Sequence, residues 1–294
     1  MRITHSWTEE SAVIRIEGLT QLVRVVHITD SHLCIVDERD SDHMAMGLVS
    51  REKFAGRRQD ASGKNIHPEQ SLEETLLSNR DVDLLALTGD IVHFPSHANV
   101  ETAAGLVARS GLPCMYTAGN HDWRFPGLDQ GDGMRENFMP RLKPLHPDTD
   151  ADNSVRDIGG IRFVAVDSST YQISPSQLSF IAAQLADGLA TVLLTHIPIS
   201  TATLRDPTLE RWKAAILLGD PDWGAASRAR AHAGPDTAET LEFVRLVTTA
   251  PNLAAILCGH VHFPHTDAVS PRAVQYVGRP GFAGGARRVE FRPL

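Results

Sequence analysis

Five short apolar runs in this chain are each followed by side chains that can bind metal ions. The runs have the length and composition of buried β-strands. The runs and the polar residues after them are 22–28 with Asp30 and His32, 84–87 with Asp90, 114–117 with Asn120 and His121, 191–194 with His196, and 254–257 with His260 and His262. Because ligand sites in α/β proteins lie beyond the carboxyl ends of the strands, we expect these side chains to converge on one site.

Other stretches of the pattern predict further strands and helices. The additional strands are expected at 11–17, 160–166, 273–277 and 288–291, and helices are expected from Pro68 onward and at 100–108, 175–185 and 237–249. Strands that alternate with helices indicate an α/β (α+β) fold. The predicted architecture is a four-layer α/β/β/α sandwich, in which two mixed sheets pack together and helices cover their outer faces.

The ligand-bearing positions also bear on domain organisation. They span residues 30–262 of a 294-residue chain, so one site draws on nearly the whole sequence. We therefore expect a single domain covering residues 1–294. Two long segments, about 34–69 and 200–240, lack clear periodicity and are predicted to be insertions. Their role stays open between a solvated surface segment, a lid over the site and a contact with another subunit.

Composition narrows the class of partner. The chain has 28 basic and 36 acidic residues, a formal charge of −8, which argues against a protein that binds long nucleic acid. A small anionic substrate remains compatible, because bound cations can dominate the local field. The N-terminal residues lack a secretory pattern, and no apolar run has the length of a membrane span.

The three cysteines stand at unrelated spacings, which argues against a disulfide framework. A cytoplasmic enzyme is the expectation that follows. The sequence leaves its oligomeric state open, a homo-oligomer included.

The residue types after the strands indicate the chemistry. Two divalent cations about 3.5–4 Å apart can clamp a phosphoryl group and supply hydroxide at neutral pH. A carboxylate that bridges the two ions offsets their repulsion. Imidazole, carboxylate and amide oxygen together suit Mn, Fe, Zn or Co better than Ca. The pattern therefore predicts a dinuclear site with divalent or trivalent ions, most simply Mn, Fe or Zn.

In their order along the chain, these motifs resemble those of the calcineurin-like metallophosphoesterases. The matching blocks are Asp30-Ser31-His32, Gly89-Asp90, Gly119-Asn120-His121-Asp122, His196 and Gly259-His260-Val261-His262. Each block alone is common, but five in order, each after an apolar strand, form a specific signal. The motif pattern is most similar to the branch that contains the cyclic-nucleotide (class III) phosphodiesterases.

The resemblance implies a role for each matching residue. It implies that Asp30, His32 and His262 bind the first metal and that Asn120, His196 and His260 bind the second. Asp90 would bridge the two ions, and a hydroxide between them would attack phosphorus in line. Asn120 and His121 would contact the substrate. His121 would also protonate the leaving oxygen, while Asp122 orients its ring.

Two positions depart from the pattern of many relatives. Thr195 stands where many of them have a histidine, and Ile91 stands where many have an asparagine. Neither departure removes a member of the ligand set. Both lie next to predicted ligands, so they weaken any inference of the substrate from that of one subfamily.

For the reaction, the resemblance implies hydrolysis of a small phosphodiester. A phosphomonoesterase or nucleotide phosphohydrolase is the alternative within the family, and a non-catalytic metal-binding scaffold is the alternative of another class. Scaffold relatives would be expected to lack the bridging carboxylate or the catalytic histidine, whereas Asp90 and His121 are both present. Trp123 and Phe125 either stack on a flat leaving group or pack in the core.

Several other polar residues are set aside or left open. Arg57, Arg58, Arg205 and Arg211 are either phosphate ligands or surface charges. A second set is expected to lie outside the ligand set. His27 lies inside a predicted strand, and neither His93 nor His97 ends a strand. Gly219-Asp220 is a chance repeat of the Gly-Asp motif.

Overall fold

The computed structural model describes residues 1–128, 133–147 and 149–294. The strands are β1 (Ile3–Trp7), β2 (Ser11–Ile16), β3 (Val23–Ile28), β4 (Leu84–Thr88), β5 (Cys114–Thr117), β6 (Asn153–Ile158), β7 (Ile161–Val166), β8 (Ala190–Leu194), β9 (Leu253–Cys258), β10 (His265–Ala268), β11 (Val274–Val277) and β12 (Arg287–Pro293). The helices are α1 (Met44–Ala55), α2 (Pro68–Leu77), α3 (His97–Ser110), α4 (Met134–Phe138), α5 (Pro175–Leu185), α6 (Ala202–Trp212), α7 (Ala225–Arg230) and α8 (Ala238–Thr249), with 3₁₀ turns at Glu38–His43, Met139–Leu145 and Gly281–Ala283.

The strands form two mixed sheets of six strands. The first has the order β1-β2-β12-β3-β4-β5, and the second has the order β10-β11-β9-β8-β7-β6. In the first sheet β3, β4 and β5 run parallel to one another. In the second, β7, β8, β9 and β11 are parallel. The strands predicted to carry ligands therefore lie in the parallel part of each sheet, with β5 at the edge of the first sheet, and the parallel strands of each sheet have their carboxyl ends on the same side.

Three apolar layers hold the two sheets and their helices together. The central layer lies between the sheets, where Val25 and Ala86 of the first pack with Phe163, Val192 and Leu257 of the second. A second layer packs the first sheet on α2 and α3, and a third packs the second sheet on α5 and α8. Each fully buried aliphatic or aromatic side chain contributes about 1.5–3 kcal/mol to folding. The predicted four-layer sandwich is thus confirmed.

Three strands, β1, β6 and β10, are not predicted by the sequence pattern. Each is an edge strand of its sheet. Their side chains are mostly exposed or half-buried, in contrast to the fully buried β4, β8 and β9. An edge strand that is covered on one side only keeps polar residues, so it has no continuous apolar run for a pattern to detect.

The two predicted insertions contain more regular structure than their sequences indicate. In the first, a 3₁₀ turn leads into α1, which buries only Gly47, Phe54 and Ala55. Because α1 lacks an apolar stripe, its periodicity is not visible in the sequence. The second contains α6 and α7. The segments 34–69 and 200–240, predicted to be insertions because they lack clear periodicity, therefore contain helices.

Candidate metal centre

The predicted ligands stand just past the carboxyl ends of β3, β4, β5, β8 and β9. Two of them follow β3, one each follows β4, β5 and β8, and two follow β9. They come from both sheets, so the centre forms where the two sheets meet. Asp30, His32, Asp90 and His196 are at most 1% exposed, and only His262 is more than slightly accessible, with a side chain 13% exposed.

A first cluster consists of Asp30, His32, Asp90 and His262. One potential ligand atom from each lies within 4.8 Å of the others. The Nε2 atoms of His32 and His262 face each other at 2.9 Å, and Oδ1 of Asp30 lies 3.3 Å from Nε2 of His262. Nitrogen and carboxylate atoms that point at one another across so small a space match the donor set of a transition-metal site.

A second cluster consists of Asp90, His196 and His260, again within 4.8 Å. Asp90 belongs to both clusters. Its Oδ2 lies 3.3 Å from Nε2 of His196 and 3.6 Å from Nε2 of His32. One carboxylate oxygen therefore faces the two clusters at once, which is the position that a bridging ligand requires.

Three of the predicted ligand atoms are buried without any hydrogen-bond partner. They are Oδ2 of Asp90, Oδ1 of Asn120 and Nε2 of His196. Leaving such an atom unsatisfied costs about 1–3 kcal/mol, and more when the group is charged. Asn120 also belongs to the centre by position, since the backbone N–H of its neighbour His121 donates to Oδ1 of Asp90 at 2.8 Å. Metal coordination would satisfy all three atoms, so the residues present fit a dinuclear centre.

Hydrogen bonds to the other ring nitrogens orient two of the histidines. Nδ1 of His196 donates to the carbonyl of Thr88 at 2.8 Å, which turns the lone pair of Nε2 toward Asp90. Nε2 of His260 is hydrogen-bonded to the hydroxyl of Tyr171 at 2.9 Å, which leaves Nδ1 available. Partners of this kind fix the tautomer and ring orientation of metal-binding histidines. Tyr171 was missed in the sequence, where it lies in the turn after β7 with no motif to mark it.

Burial and the carboxylates set the protonation of the histidines. Burial lowers the pKa of His32 and His260 well below the usual value, so both rings are neutral at pH 7. Burial also acts to lower the pKa of His196, but the negative charge of Asp90, whose Oδ2 lies 3.3 Å from Nε2, outweighs this effect and raises the pKa to about 10. Neutral imidazole is the form that binds a cation, and a cation beside Asp90 would replace the proton on His196.

The backbone at the strand ends adopts a conformation that non-glycine residues avoid. Asp30, His32, Asp90, His260 and His262 have φ angles between 48° and 72°, in the left-handed region. Such a conformation costs about 1–2 kcal/mol per residue. Strain of this kind persists where the surrounding structure over-determines it, and it clusters at functional sites.

Two glycines next to the ligands provide the space that the centre needs. A Cβ on Gly89 would lie 2.6 Å from Nδ1 of His196, and φ at this glycine is +84°. A Cβ on Gly119 would overlap the carboxylate of Asp90. Both motifs thus need glycine for close packing around Asp90, in addition to any need for backbone freedom.

Asp122 has a different position from the one that the resemblance implies. Its Oδ2 accepts hydrogen bonds from the N–H groups of Asp90 and Gly119 and from the hydroxyl of Tyr116, and its Oδ1 accepts from the N–H of Val92. Within the described residues no hydrogen bond joins it to the ring of His121. In this structure Asp122 therefore bonds the backbone around Asp90, and its predicted role in orienting the ring of His121 stays a prediction. Its carboxylate is turned away because it satisfies the buried N–H groups of two ligand-bearing loops.

His93 lies inside the centre, although the sequence pattern set it aside. Its Nδ1 is 3.0 Å from Nδ1 of His32, and its ring stacks on that of His121 with centroids 4.6 Å apart. Together with His32 and His121 it forms a third group with the spacing of a metal site. Its position three residues after Asp90 was the available signal. His97, by contrast, begins α3, and His27 is buried in β3 with a hydrogen bond to Thr88.

A cleft of about 530 Å³ opens over His32, His121 and His262. Trp123 and Phe125 do not line it; they are 5% and 0% exposed and pack in the core. Of the four arginines left open by the sequence, Arg57 and Arg211 line the cleft. The other two are held in ion pairs, Arg58 with Glu74 at 2.8 Å and Arg205 with Asp220 at 3.1 Å. Asp220 has this structural partner and lies outside the clusters, as predicted.

Comparison with protein families matches residues 23–264 to the calcineurin-like phosphoesterases. The chain therefore belongs to this family, and its class is that of the metal-dependent phosphoric ester hydrolases. The match covers every ligand-bearing strand. It does not distinguish the cyclic-nucleotide branch from the others.

Solved structures confirm the fold. A dimetal phosphatase from Danio rerio aligns with a TM-score of 0.52 at 13% identity, covering 89% of this chain and 88% of that one. The purple acid phosphatase PPD1 from yellow lupin (Lupinus luteus) seeds aligns with a TM-score of 0.53 at 14% identity, covering 94% of this chain and 47% of that one. Comparison with curated protein sequences found no match. In the part of the chain that the structure describes, no helix is both long and apolar enough to cross a bilayer.

Proposed function

We propose that this protein hydrolyses a small phosphodiester at a two-metal centre. The observation that carries the proposal is the position of Asp90, whose Oδ2 faces His32 of one cluster and His196 of the other. A carboxylate shared in this way is the requirement for two ions held close together. Because the residues around Asp90 come from both sheets, we also infer that the chain forms one functional domain.

Each residue has a proposed task. Asp30, His32 and His262 would hold the first metal, Asn120, His196 and His260 the second, and Asp90 both. Bound Mn, Fe or Zn ions would neutralise phosphoryl oxygens and supply hydroxide at neutral pH. Asn120 and His121 would contact the substrate. The hydrogen bond from the N–H of His121 to Asp90 fixes the backbone of His121 relative to the bridging carboxylate.

The surroundings of the His121 ring support a role in proton transfer. It lines the cleft and stacks on His93. Burial lowers its pKa from 6.5, so the free ring is neutral at pH 7. A phosphoryl anion beside it would raise this pKa, because a nearby negative charge stabilises the imidazolium. We propose that His121 thereby donates the proton that the leaving oxygen needs.

A second candidate is a phosphomonoesterase, favoured by the positive charge of the cleft. Lys53, Arg57, Arg211 and Arg279 line the cleft, with Glu9 as the acid among its lining residues. A monoester dianion has more charge to neutralise than a diester.

For the diesterase we expect bis(4-nitrophenyl) phosphate to be hydrolysed at least about tenfold faster than 4-nitrophenyl phosphate, with Mn²⁺ added and with activity lost on chelation. The inverse ratio would favour the monoesterase, and no turnover with metal bound would favour the scaffold.

Replacing Tyr171 with phenylalanine is expected to weaken metal binding by about 10–100-fold, because it removes the hydrogen bond that orients His260. Metal titration followed by calorimetry measures the effect. Tyr276→Phe is the matched control: its hydroxyl is also bonded to a histidine, His5 at 2.9 Å, but outside the centre. Equal metal affinity in the two variants would contradict the assignment of His260.

We propose a cytoplasmic location. Cys34, Cys114 and Cys258 are free thiols. Free thiols are typical of reducing compartments.

A further inference from the structure

The cleft over the candidate centre has a charge opposite to that of the protein. The chain has a formal charge of −8. Yet four basic side chains, Lys53, Arg57, Arg211 and Arg279, line one cleft together with a single acid, Glu9. They come from three distant parts of the chain: the end of α1 and the residues after it, the end of α6, and the loop after β11. The fold therefore gathers positive charge here.

In the part of the chain that the structure describes, these four cations differ from arginines nearby in having no carboxylate partner. Within the described residues none of them forms an ion pair, and none donates a side-chain hydrogen bond. The adjacent residue in the chain, Arg58, bonds both Glu74 and Ser71. In α6, Arg205 pairs with Asp220, whereas Arg211 lies at the cleft with its guanidinium 5.5 Å from the centroid of the Trp212 ring and has no carboxylate partner among the described residues. Neighbours in the same segments thus have carboxylate partners, and the cations that face the cleft do not.

The reacting phosphoryl group does not account for so much positive charge. Two divalent cations would already outweigh the carboxylates of Asp30 and Asp90, and a diester has one negative charge. His93 and His121 add N–H donors on the same side of the cleft. A cleft of about 530 Å³ also has room for much more than one phosphoryl group. The unpaired cations are therefore available to a second anionic group.

Guanidinium groups favour phosphate as that second group. Their planar donors bind two phosphate oxygens at once, and three of the four cations are arginines. We propose that the cleft contains a second phosphate subsite formed by Lys53, Arg57, Arg211 and Arg279, so that the preferred substrate carries a phosphate besides the one that reacts. This proposal rests on the phosphoesterase function proposed above.

Binding of adenine nucleotides to the metal-loaded protein tests the subsite. AMP has one phosphate, ADP has a second one adjacent to it, and adenosine 3′,5′-bisphosphate has a second one at longer reach. We expect the wild type to bind ADP or adenosine 3′,5′-bisphosphate, or both, about tenfold more tightly than AMP. The double variant Arg57→Ala/Arg211→Ala should bind all three within about twofold of one another. The wild-type preference should also fall as salt is added.

The matched control is Arg80→Ala/Arg272→Ala, which removes two exposed arginines that do not line the cleft. It should keep the full preference, which shows that the effect is local and not one of net charge. Equal affinity of the wild type for all three nucleotides, or a preference that persists in Arg57→Ala/Arg211→Ala, would overturn the subsite. Diester hydrolysis, assayed on the same preparation, reports separately on the proposed function: a preparation with the preference but no diester turnover would retain the subsite and refute the diesterase.

Discussion

Replacing Asp90 with alanine is expected to remove the metals and the activity in one step. The side chain faces both clusters, so its loss takes a ligand from each ion and leaves their mutual repulsion uncompensated. The metals supply several kcal/mol of transition-state stabilisation. At 1.36 kcal/mol for each factor of ten, turnover should fall by about 10³–10⁴-fold or more. Elemental analysis of the purified variant should show far less metal than the wild type.

Asp220→Ala serves as the control for this experiment. Asp220 is also a buried aspartate after a glycine, but it bonds Arg205 and Ser200. Its removal should lower the stability and leave the metal content unchanged. An Asp90→Ala protein that retains both metals would refute the bridging role, and a fully active one would refute the centre.

The variant His121→Ala should separate catalysis from metal binding. The ring lies beside the clusters but is not one of the proposed ligands, so both metals should remain. Loss of a general acid slows turnover by about 10²–10⁴-fold. The deficit should be smaller for a 4-nitrophenyl ester than for an alkyl ester, because a good leaving group needs less protonation. Metal analysis and rates for the two esters, measured on one preparation, test both expectations.

His97→Ala is the control, since His97 begins α3 outside the clusters and should have no effect on either quantity. A metal-free His121→Ala protein would show that the residue supports the metals. A deficit that is equal for both esters would show that it does not act as an acid.

The parallel strands of each sheet could be predicted from the sequence. Strands β4, β8 and β9 are buried on both faces, so their sequences are continuous apolar runs. The polar residue that interrupts each run then marks its carboxyl end. Because parallel strands of one sheet end at a common edge, the pattern was enough to predict that His196 and His260 lie together, and the order of the motifs indicated that Asp90 of the other sheet joins them.

Contacts between the loops could not be predicted in this way. The bonds of Asp122 depend on how the turns after β4 and β5 pack, since its carboxylate accepts N–H groups from both. The partnership of Tyr171 with His260 joins residues 89 positions apart. His93 does not end a strand, so the pattern predicts it outside the ligand set, yet the turn after Asp90 brings it against His32. The pattern along the chain reports only on local structure. All three contacts form between segments that are brought together by the tertiary fold, so the pattern could not predict them.

The left-handed backbone at Asp30, His32, Asp90, His260 and His262 has a consequence for the choice of ion in the cell. Because the backbone at these residues is strained and fixed by its surroundings, their side chains cannot move apart to bind a larger ion. Calcium takes six to eight oxygens at 2.3–2.6 Å with flexible geometry, whereas this site would offer each ion two imidazole nitrogens. A rise in calcium concentration should therefore leave the metal content of the protein unchanged. The fraction of molecules that carry both metals should follow the supply of the smaller transition-metal ions.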